Sequence, residues 1–140
     1  MAMKIRTILV GLLLACGITA FGQETFKCKI VNKEYDIFMQ LNLYEENVTI
    51  PGQEILGATY GYLKKNTDSR VWMITGVEIS NDGKKANIEL VNDYGSEDLT
   101  AELRLLNDGT YQLKQMEGST LKVASKSKWL KLPKILIFNK

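Results

Sequence analysis

The sequence predicts an all-β protein, a single small antiparallel β-barrel or meander of about eight strands with OB-like or lipocalin-like closure. Apolar and polar residues alternate with a period of two along most of the chain after residue 22, as expected of strands with one buried face. Two turn-forming Asn-Asp-Gly triplets each separate a pair of these segments. No convincing helical periodicity interrupts the pattern. Closure into a barrel would hide strand edges that otherwise pair with other chains.

The predicted strands follow one another with short connections. Residues 81–83 and 107–109, both Asn-Asp-Gly, predict hairpin turns with glycine at positive φ. Gly61 and Gly76 fall within strands, as expected where a sheet bends sharply, and Pro133 predicts an edge or a bend. The strands are predicted over residues 26–30, 35–43, 58–64, 70–79, 86–90, 99–105 and 111–115, with shorter pieces at 121–123, 129–132 and 135–138.

The first 22 residues are predicted to be a secretory signal peptide. A basic start precedes an apolar run over residues 7–15, and Ala20 and Gly22 are the small residues expected before a cut at Gln23. The β-barrel domain would then span residues 23–140. The signal peptide predicts an exported protein, either periplasmic or extracellular. The apolar run is too short for a comfortable membrane span, so we expect that the protein does not span the membrane.

A lipidated N-terminus is the alternative to free secretion. Residues 13–17 (Leu-Leu-Ala-Cys-Gly) are similar to a lipobox, which would make Cys16 the lipid-bearing residue and anchor the protein at the outer membrane. Leu14 disfavours this alternative, since small or hydroxylated side chains are commoner at its position. Either route exports the protein.

Composition excludes several classes of function. The chain has no histidine, so it has no Ser-His-Asp or Cys-His couple and no imidazole metal ligand. Two of the 18 Lys and Arg residues precede Gln23, whereas all 16 Asp and Glu residues follow it. The predicted mature domain is therefore neutral and lacks the basic footprint of a nucleic-acid-binding protein.

No enzyme, cofactor or metal site is predicted. The adjacent carboxylates at residues 45–46 and 97–98 do not establish the facing pair that glycosidase chemistry needs. None of the serines lies in a nucleophile motif. Cys28 is interpreted as a small buried residue, because no histidine can activate its thiol.

Two loops and one basic residue are candidate binding elements. The first loop spans residues 47–57 and is stiffened by its Pro-Gly pair, and the second is the acidic segment 92–98. Arg70 could instead occupy a specificity pocket. Ordinary connecting loops remain the alternative interpretation. The candidate residues are Ile50, Pro51, Gln53, Glu54, Arg70, Asp93, Tyr94, Glu97 and Asp98.

An outward aromatic surface is a second candidate site. The alternation over residues 70–79 predicts that Val71 and Met73 face the core and that Trp72 faces outward. Phe38 and Tyr44 are expected on the outward face of the second strand. Such a strip is a plausible platform for a sugar ring or a protein. The alternative is that loops or the N-terminal segment cover it.

Six segments carry a resemblance to a known group: Phe26-Lys27-Cys28-Lys29-Ile30, Ile37–Leu41, Ala58–Tyr62, Gly76–Lys84, Asn107–Tyr111 and Trp129–Pro133. On these segments the chain resembles the small secreted β-barrel modules common in Bacteroidota, and among these the potempin-type peptidase inhibitors. The resemblance lies in size, export and architecture, and it implies no particular contact residue. Cys28 lies well past the predicted mature N-terminus and does not suit a mechanism in which an N-terminal cysteine chelates a metal.

Two hypotheses of function follow. The resemblance implies a non-enzymatic inhibitor of a secreted peptidase that acts through a rigid loop at one barrel end. The aromatic residues instead favour a carbohydrate- or protein-binding module. A small enclosed ligand is less well supported, since a barrel of about eight strands leaves little interior room.

Overall fold

The computed structural model of the protein describes residues 24–93 and 96–140. The predicted signal peptide, the lipidation candidate Cys16 and the loop candidate Tyr94 lie outside these residues.

The described chain is built from ten β-strands and one short 3-10 helix at Glu54–Leu56. The observed strands lie within a few residues of the predicted ones. They are β1 (Lys29–Asn32), β2 (Ile37–Leu41), β3 (Gly61–Lys65), β4 (Val71–Ile79), β5 (Lys85–Asn92), β6 (Asp98–Leu105), β7 (Tyr111–Gly118), β8 (Lys122–Ser125), β9 (Lys128–Lys131) and β10 (Ile135–Phe138).

Eight of the described strands form one nearly closed antiparallel barrel. Strands β1 to β7 pair in chain order, and β10 then pairs with the far side of β7. The two edges of the sheet meet where Val31 and Asn139 exchange two backbone hydrogen bonds of 2.7 and 2.8 Å, next to a 2.9 Å bond from Asn32 Nδ2 to the Ile137 carbonyl. The predicted fold class is confirmed, and the last strand lies beside the first with one bridge between them.

The barrel interior is a continuous apolar core. Side chains meet across paired strands: Leu63 lies opposite both Met39 and Trp72, and Leu113 lies opposite both Leu103 and Leu136. Burying each such side chain fully contributes about 1.5–3 kcal/mol. The core therefore supplies the main stabilisation of a fold whose turns are polar.

The two predicted hairpin turns are confirmed. Gly83 and Gly109 have φ values of 74° and 90°, which an L side chain rarely adopts. The preceding aspartates, Asp82 and Asp108, each accept a 3.0 Å hydrogen bond from the backbone N–H two residues later. Side-chain and backbone geometry thus specify the same turns.

The prediction for the two faces of the fourth strand is wrong in its first half. Trp72 and Ile74 face the core, whereas Val71 lies in a separate cluster on the outer surface and Met73 packs against that cluster. The cause is a β-bulge between Ile74 and Gly76, which shifts the alternation by one residue. Beyond the bulge the strand again follows the predicted alternation, and Val77 packs against the core.

The hairpin of β8 and β9, residues 122–131, stands apart from the barrel sheet and is named the cap hairpin here. Its strands pair only with each other among the described residues. Leu121 and Val123 at its start are buried in the barrel core, and Leu132 at its end is buried there too. The cap hairpin is therefore anchored at both ends over one part of the barrel.

Candidate functional site

A pocket of about 190 Å³, named the cap pocket here, lies between the cap hairpin and the barrel. The turn between β3 and β4 contributes Asp68 and Arg70, and the loop after β5 contributes Asp93 and Glu97. The cap hairpin adds further lining residues, among them Trp129. Three separate stretches of the chain, within residues 65–72, 92–97 and 122–129, therefore meet at this one place.

The cap hairpin is held in position by buried and partly buried hydrogen bonds. Trp72 Nε1 donates to the Lys122 carbonyl at 3.0 Å. Gln115, a buried residue of β7, accepts from the Leu121 N–H at 2.7 Å and donates to the Pro133 carbonyl at 2.9 Å. Each such bond contributes about 0.5–1.5 kcal/mol, and leaving one of these groups unpaired would cost more. The hairpin is thus a fixed boundary of the pocket.

Trp129 forms the outer boundary of the pocket beside two cations. The Arg70 guanidinium carbon lies 4.8 Å from the centre of the Trp129 ring, and Lys122 Nζ lies 5.3 Å from it. The Trp129 side chain remains 51% exposed. Cation–π contacts of this kind contribute about 0.5–1 kcal/mol at exposed sites. They orient a large aromatic surface at the pocket entrance.

Both of these cations are also ion-paired. Arg70 donates to Asp68 through Nε and Nη2, at 3.0 and 2.8 Å. These hydrogen bonds hold the pKa of the Asp68 carboxyl below its usual value, although partial burial acts in the opposite direction. Lys122 Nζ lies 2.8 Å from Glu97 Oε2. The pairs contribute little stability individually, but they fix the positions of the charges around the pocket.

Asp93 differs from the other acidic residues of the pocket. Its Oδ1 is buried and accepts no hydrogen bond from residues 24–93 or 96–140. Its backbone N–H donates to the Val71 carbonyl at 3.1 Å, and the neighbouring Asn92 side chain accepts from the Ser96 N–H at 3.0 Å. A buried acceptor without a donor costs about 1–3 kcal/mol, and more when charged. The loop therefore holds a carboxylate oxygen at the pocket that no donor from the described residues satisfies.

The loop of residues 47–57, named the Ile55 loop here, lies on the outer surface of β2 to β4. Its Ile50 is buried together with Tyr62 and Val71, and these three form a small second apolar cluster. A bridge between Val48 and Thr59, with bonds of 2.9 and 2.7 Å, closes the base of the loop.

The tip of the Ile55 loop presents one exposed isoleucine. Ile55 is 97% exposed and lies in the 3-10 helix. Around it, Glu54 accepts from the Gly52 N–H at 3.0 Å, and Gln53 Nε2 donates to the Ser69 carbonyl at 2.7 Å. The second of these bonds joins the loop to the turn that carries Arg70. The Ile55 loop and the cap pocket are thus connected through the β3–β4 turn.

The structure brings some of the predicted loop residues together and separates others. Arg70, Asp93 and Glu97 all line the cap pocket. Asp98, by contrast, begins β6 and is exposed outside the pocket lining. The remaining described candidates lie in the Ile55 loop, where Pro51 and Glu54 are exposed, Gln53 is half-buried and Ile50 is buried.

The predicted outward aromatic strip is not formed. Trp72 is buried, for the reason given above, and only 5% of it is exposed. Phe38 is half-buried, packs edge-on against Tyr62 at 5.9 Å and lies under Lys29 Nζ at 4.5 Å. Tyr44 is half-buried and its hydroxyl accepts from the Phe26 N–H at 3.0 Å. These aromatics stabilise the fold, and they present no continuous surface.

Two exposed residues were missed at the sequence level. The sequence pattern places Trp129 only in a short terminal strand and does not distinguish Ile55 within its loop. The Pro-Gly pair before Ile55 indicated a turn but gave no sign of which apolar side chains would dock on the barrel. Nothing in the local sequence indicated that Trp129 would meet Arg70 across the cap pocket.

Cys28 is half-buried and contacts a buried tyrosine. Its Sγ lies 3.6 Å from the Tyr111 hydroxyl, which itself donates to the Thr25 carbonyl at 2.6 Å. Burial, followed by the contact with Cys28, raises the pKa of Tyr111 above its usual value. The contacts of the Tyr111 hydroxyl with Cys28 and Thr25 thus hold the segment before β1 against the barrel.

Within the described ranges, no three or more Cys, Asp and Glu side chains are grouped so as to hold a metal ion. The same residues contain no helix long and apolar enough to cross a membrane. Comparison with protein-family models, curated proteins and solved structures finds no match to this chain.

Proposed function

We propose that the protein is an exported, non-enzymatic binding protein that inhibits a secreted peptidase. The observation that carries the proposal is Ile55, a large apolar side chain that is 97% exposed on a loop fixed to the barrel. Soluble proteins expose single apolar residues routinely. An isoleucine at the tip of an ordered loop is nonetheless the kind of residue that anchors a protein interface.

The loop is ordered before any partner binds. The buried Ile50 and the bonds at Gly52, Gln53 and the base of the loop restrict its backbone. Association therefore loses less conformational entropy than it would with a mobile loop, and this is the main way in which a rigid scaffold gains affinity. The same bonds would slow cleavage of the Ile55 loop by the peptidase, because they must break before the loop backbone can extend.

The geometry favours obstruction over substrate mimicry. A peptide that adds to an enzyme as a substrate strand is extended, whereas residues 54–56 form a 3-10 helix. Ile55 would therefore enter an apolar depression at or beside the peptidase cleft, and the barrel would block access to it. The absence of histidine from the sequence fits a protein that acts by contact.

A surface glycan or another protein is the second candidate partner. The observation that favours it is Trp129, which is half exposed at the entrance of the cap pocket. Aromatic side chains in such positions contact sugar rings and protein surfaces alike. This candidate does not involve the Ile55 loop.

A panel of secreted metallo-, serine and cysteine peptidases tests the proposal. Purified protein lacking residues 1–22 is added at micromolar concentration, and the rate of peptide hydrolysis is measured for each enzyme. We expect one class to be slowed with a stoichiometric end point and with the inhibitor recovered uncleaved by mass spectrometry. If no peptidase is slowed while a glycan array gives binding that a Trp129→Ala change abolishes, the second candidate replaces the first.

A further inference from the structure

We infer that the cap pocket binds one lysine or arginine side chain of a partner polypeptide, with Asp93 accepting a hydrogen bond from its cationic head. This inference goes beyond the proposed function, since it involves neither the Ile55 loop nor any peptidase. It depends on the charges, the apolar surface and the size of the pocket.

Among the residues that the structure describes, the charges around the cap pocket leave one carboxylate without a partner. Asp93 lines the pocket, and it has no ion pair among the residues that the structure describes. Its buried Oδ1 also lacks a hydrogen-bond donor there. A small rotation of the carboxylate toward a bound cation would give Asp93 both an ion pair and a hydrogen-bond donor. The basic residues of the pocket are already paired, as Arg70–Asp68, Lys122–Glu97 and Lys65–Asp36.

The apolar surface of the pocket suits the stem of a basic side chain. Val71, Val123 and Ala124 line it together with the two tryptophans. Lysine and arginine carry three or four methylene groups below a charged head, and they bury the stem on apolar surface while the head meets a polar group. A pocket with apolar walls and one unpaired carboxylate matches this division.

The volume limits the ligand to a single side chain. The pocket volume of about 190 Å³ is below the roughly 300–1,000 Å³ of sites that hold drug-sized molecules. The alternatives fit less well. An anionic ligand would have to compete with Asp68 and Glu97 for the two cations, and the Trp129 ring that a sugar would stack on already contacts Arg70 and Lys122.

Tryptophan fluorescence reports directly on this pocket. The sequence has two tryptophans, Trp72 and Trp129, and both line the pocket. The probe is Nα-acetyl-arginine amide, titrated to tens of millimolar. Nα-acetyl-citrulline amide serves as the neutral compound of matched shape, and N-acetylglucosamine tests a sugar. We expect the arginine compound to change the tryptophan emission saturably. The citrulline compound should bind at least about tenfold more weakly.

Variants separate the pocket from nonspecific charge effects. Asp93→Asn should weaken arginine binding about tenfold or more, whereas Asp98→Asn, at an exposed acid outside the pocket, should leave it within about twofold. Ala124→Leu should block the pocket while keeping Asp93, so it tests the site even if Asp93→Asn fails to fold. The inference is overturned if citrulline binds as well as arginine, if Asp98→Asn weakens binding as much as Asp93→Asn, or if only the sugar changes the emission.

Discussion

Trp72, from the barrel core, donates its indole N–H to the backbone carbonyl of Lys122 in the cap hairpin at 3.0 Å. The indole is buried, so the bond joins two parts of the chain that no strand pairing connects. One side chain thus contributes to the core, to the position of the cap hairpin and to the shape of the cap pocket.

The first prediction concerns this bond. Trp72→Phe should lower the free energy of unfolding by about 1–3 kcal/mol, because it leaves the partly buried Lys122 carbonyl unpaired and removes core volume. Trp129→Phe is the matched control and should cost less than about 1 kcal/mol, since Trp129 is half exposed. Urea unfolding measures the free energy of unfolding of each variant. Equal losses of stability in Trp72→Phe and Trp129→Phe would contradict the structural role given to Trp72.

The second prediction concerns Gly61, which has a φ of 149° at the start of β3. A Cβ there would collide with the backbone carbonyl oxygen of Gln40 on β2. Gly61→Ala should therefore destabilise the protein by about 3 kcal/mol or more, as both strain and strand displacement contribute. Thermal and urea unfolding would show this loss.

Gly52→Ala is the control for this change. Gly52 also has a positive φ, of 81°, but a Cβ there would meet nothing within 4 Å. Gly52→Ala should lower the free energy of unfolding by only about 1–2 kcal/mol, because only backbone strain contributes. If Gly61→Ala and Gly52→Ala lower the free energy of unfolding by the same amount, β2 and β3 do not approach closely at Gly61.

The third prediction concerns pH. The pKa of Asp68 is lowered by hydrogen bonds from Arg70, so the folded state binds a proton there less readily than the unfolded state does. The stability gained from this group is complete above the ordinary value of 3.8 and is lost as the pH falls through the lower folded pKa. Asp68→Asn should therefore be less stable than the wild type at neutral pH.

The stability difference between Asp68→Asn and the wild type should shrink as the pH falls below 3.8. Free energies of unfolding measured from pH 7 to pH 2 test this, with Asp98→Asn as the control. The hydrogen bonds that Asp82 and Asp108 accept in their turns lower the pKa values of those carboxyls too, so the wild type should lose stability from them in the same range. A difference that stays constant down to pH 2 would argue against the Asp68–Arg70 pair.

The fourth prediction concerns export. The full chain produced in a Gram-negative host should leave the cytoplasm and begin at Gln23, as measured by intact mass. Membrane association with added lipid mass, abolished by Cys16→Ser, would instead establish the lipid-anchored alternative.

Much of the fold could be predicted because its signals are local. The alternation at Ala86, Ile88 and Leu90 identifies β5, and Asn-Asp-Gly at residues 107–109 identifies the turn before β7. Trp72 was misplaced because a single bulge reverses the alternation within β4. A bulge depends on the neighbouring strands, and it leaves little trace in its own segment beyond a glycine.

The candidate site was less predictable because its residues are distant in the chain. Arg70, Asp93 and Glu97 were singled out separately, but nothing in the sequence placed them at one pocket. Trp129 joins them only through the anchoring of the cap hairpin by Gln115 and Trp72. The exposure of Ile55 likewise depends on the docking of Ile50 onto the barrel.

The most direct test of the proposed function compares Ile55→Asp with Ile135→Asp against the peptidase that the wild type inhibits. Ile135 is also exposed and apolar, at 50%, but it lies on β10, away from the Ile55 loop. Ile55→Asp should raise the inhibition constant by roughly thirtyfold or more, since a residue at the centre of an interface is worth about 2 kcal/mol or more, and Ile135→Asp should leave it nearly unchanged. Equal inhibition by both variants, or inhibition lost only with Ile135→Asp, would contradict the account.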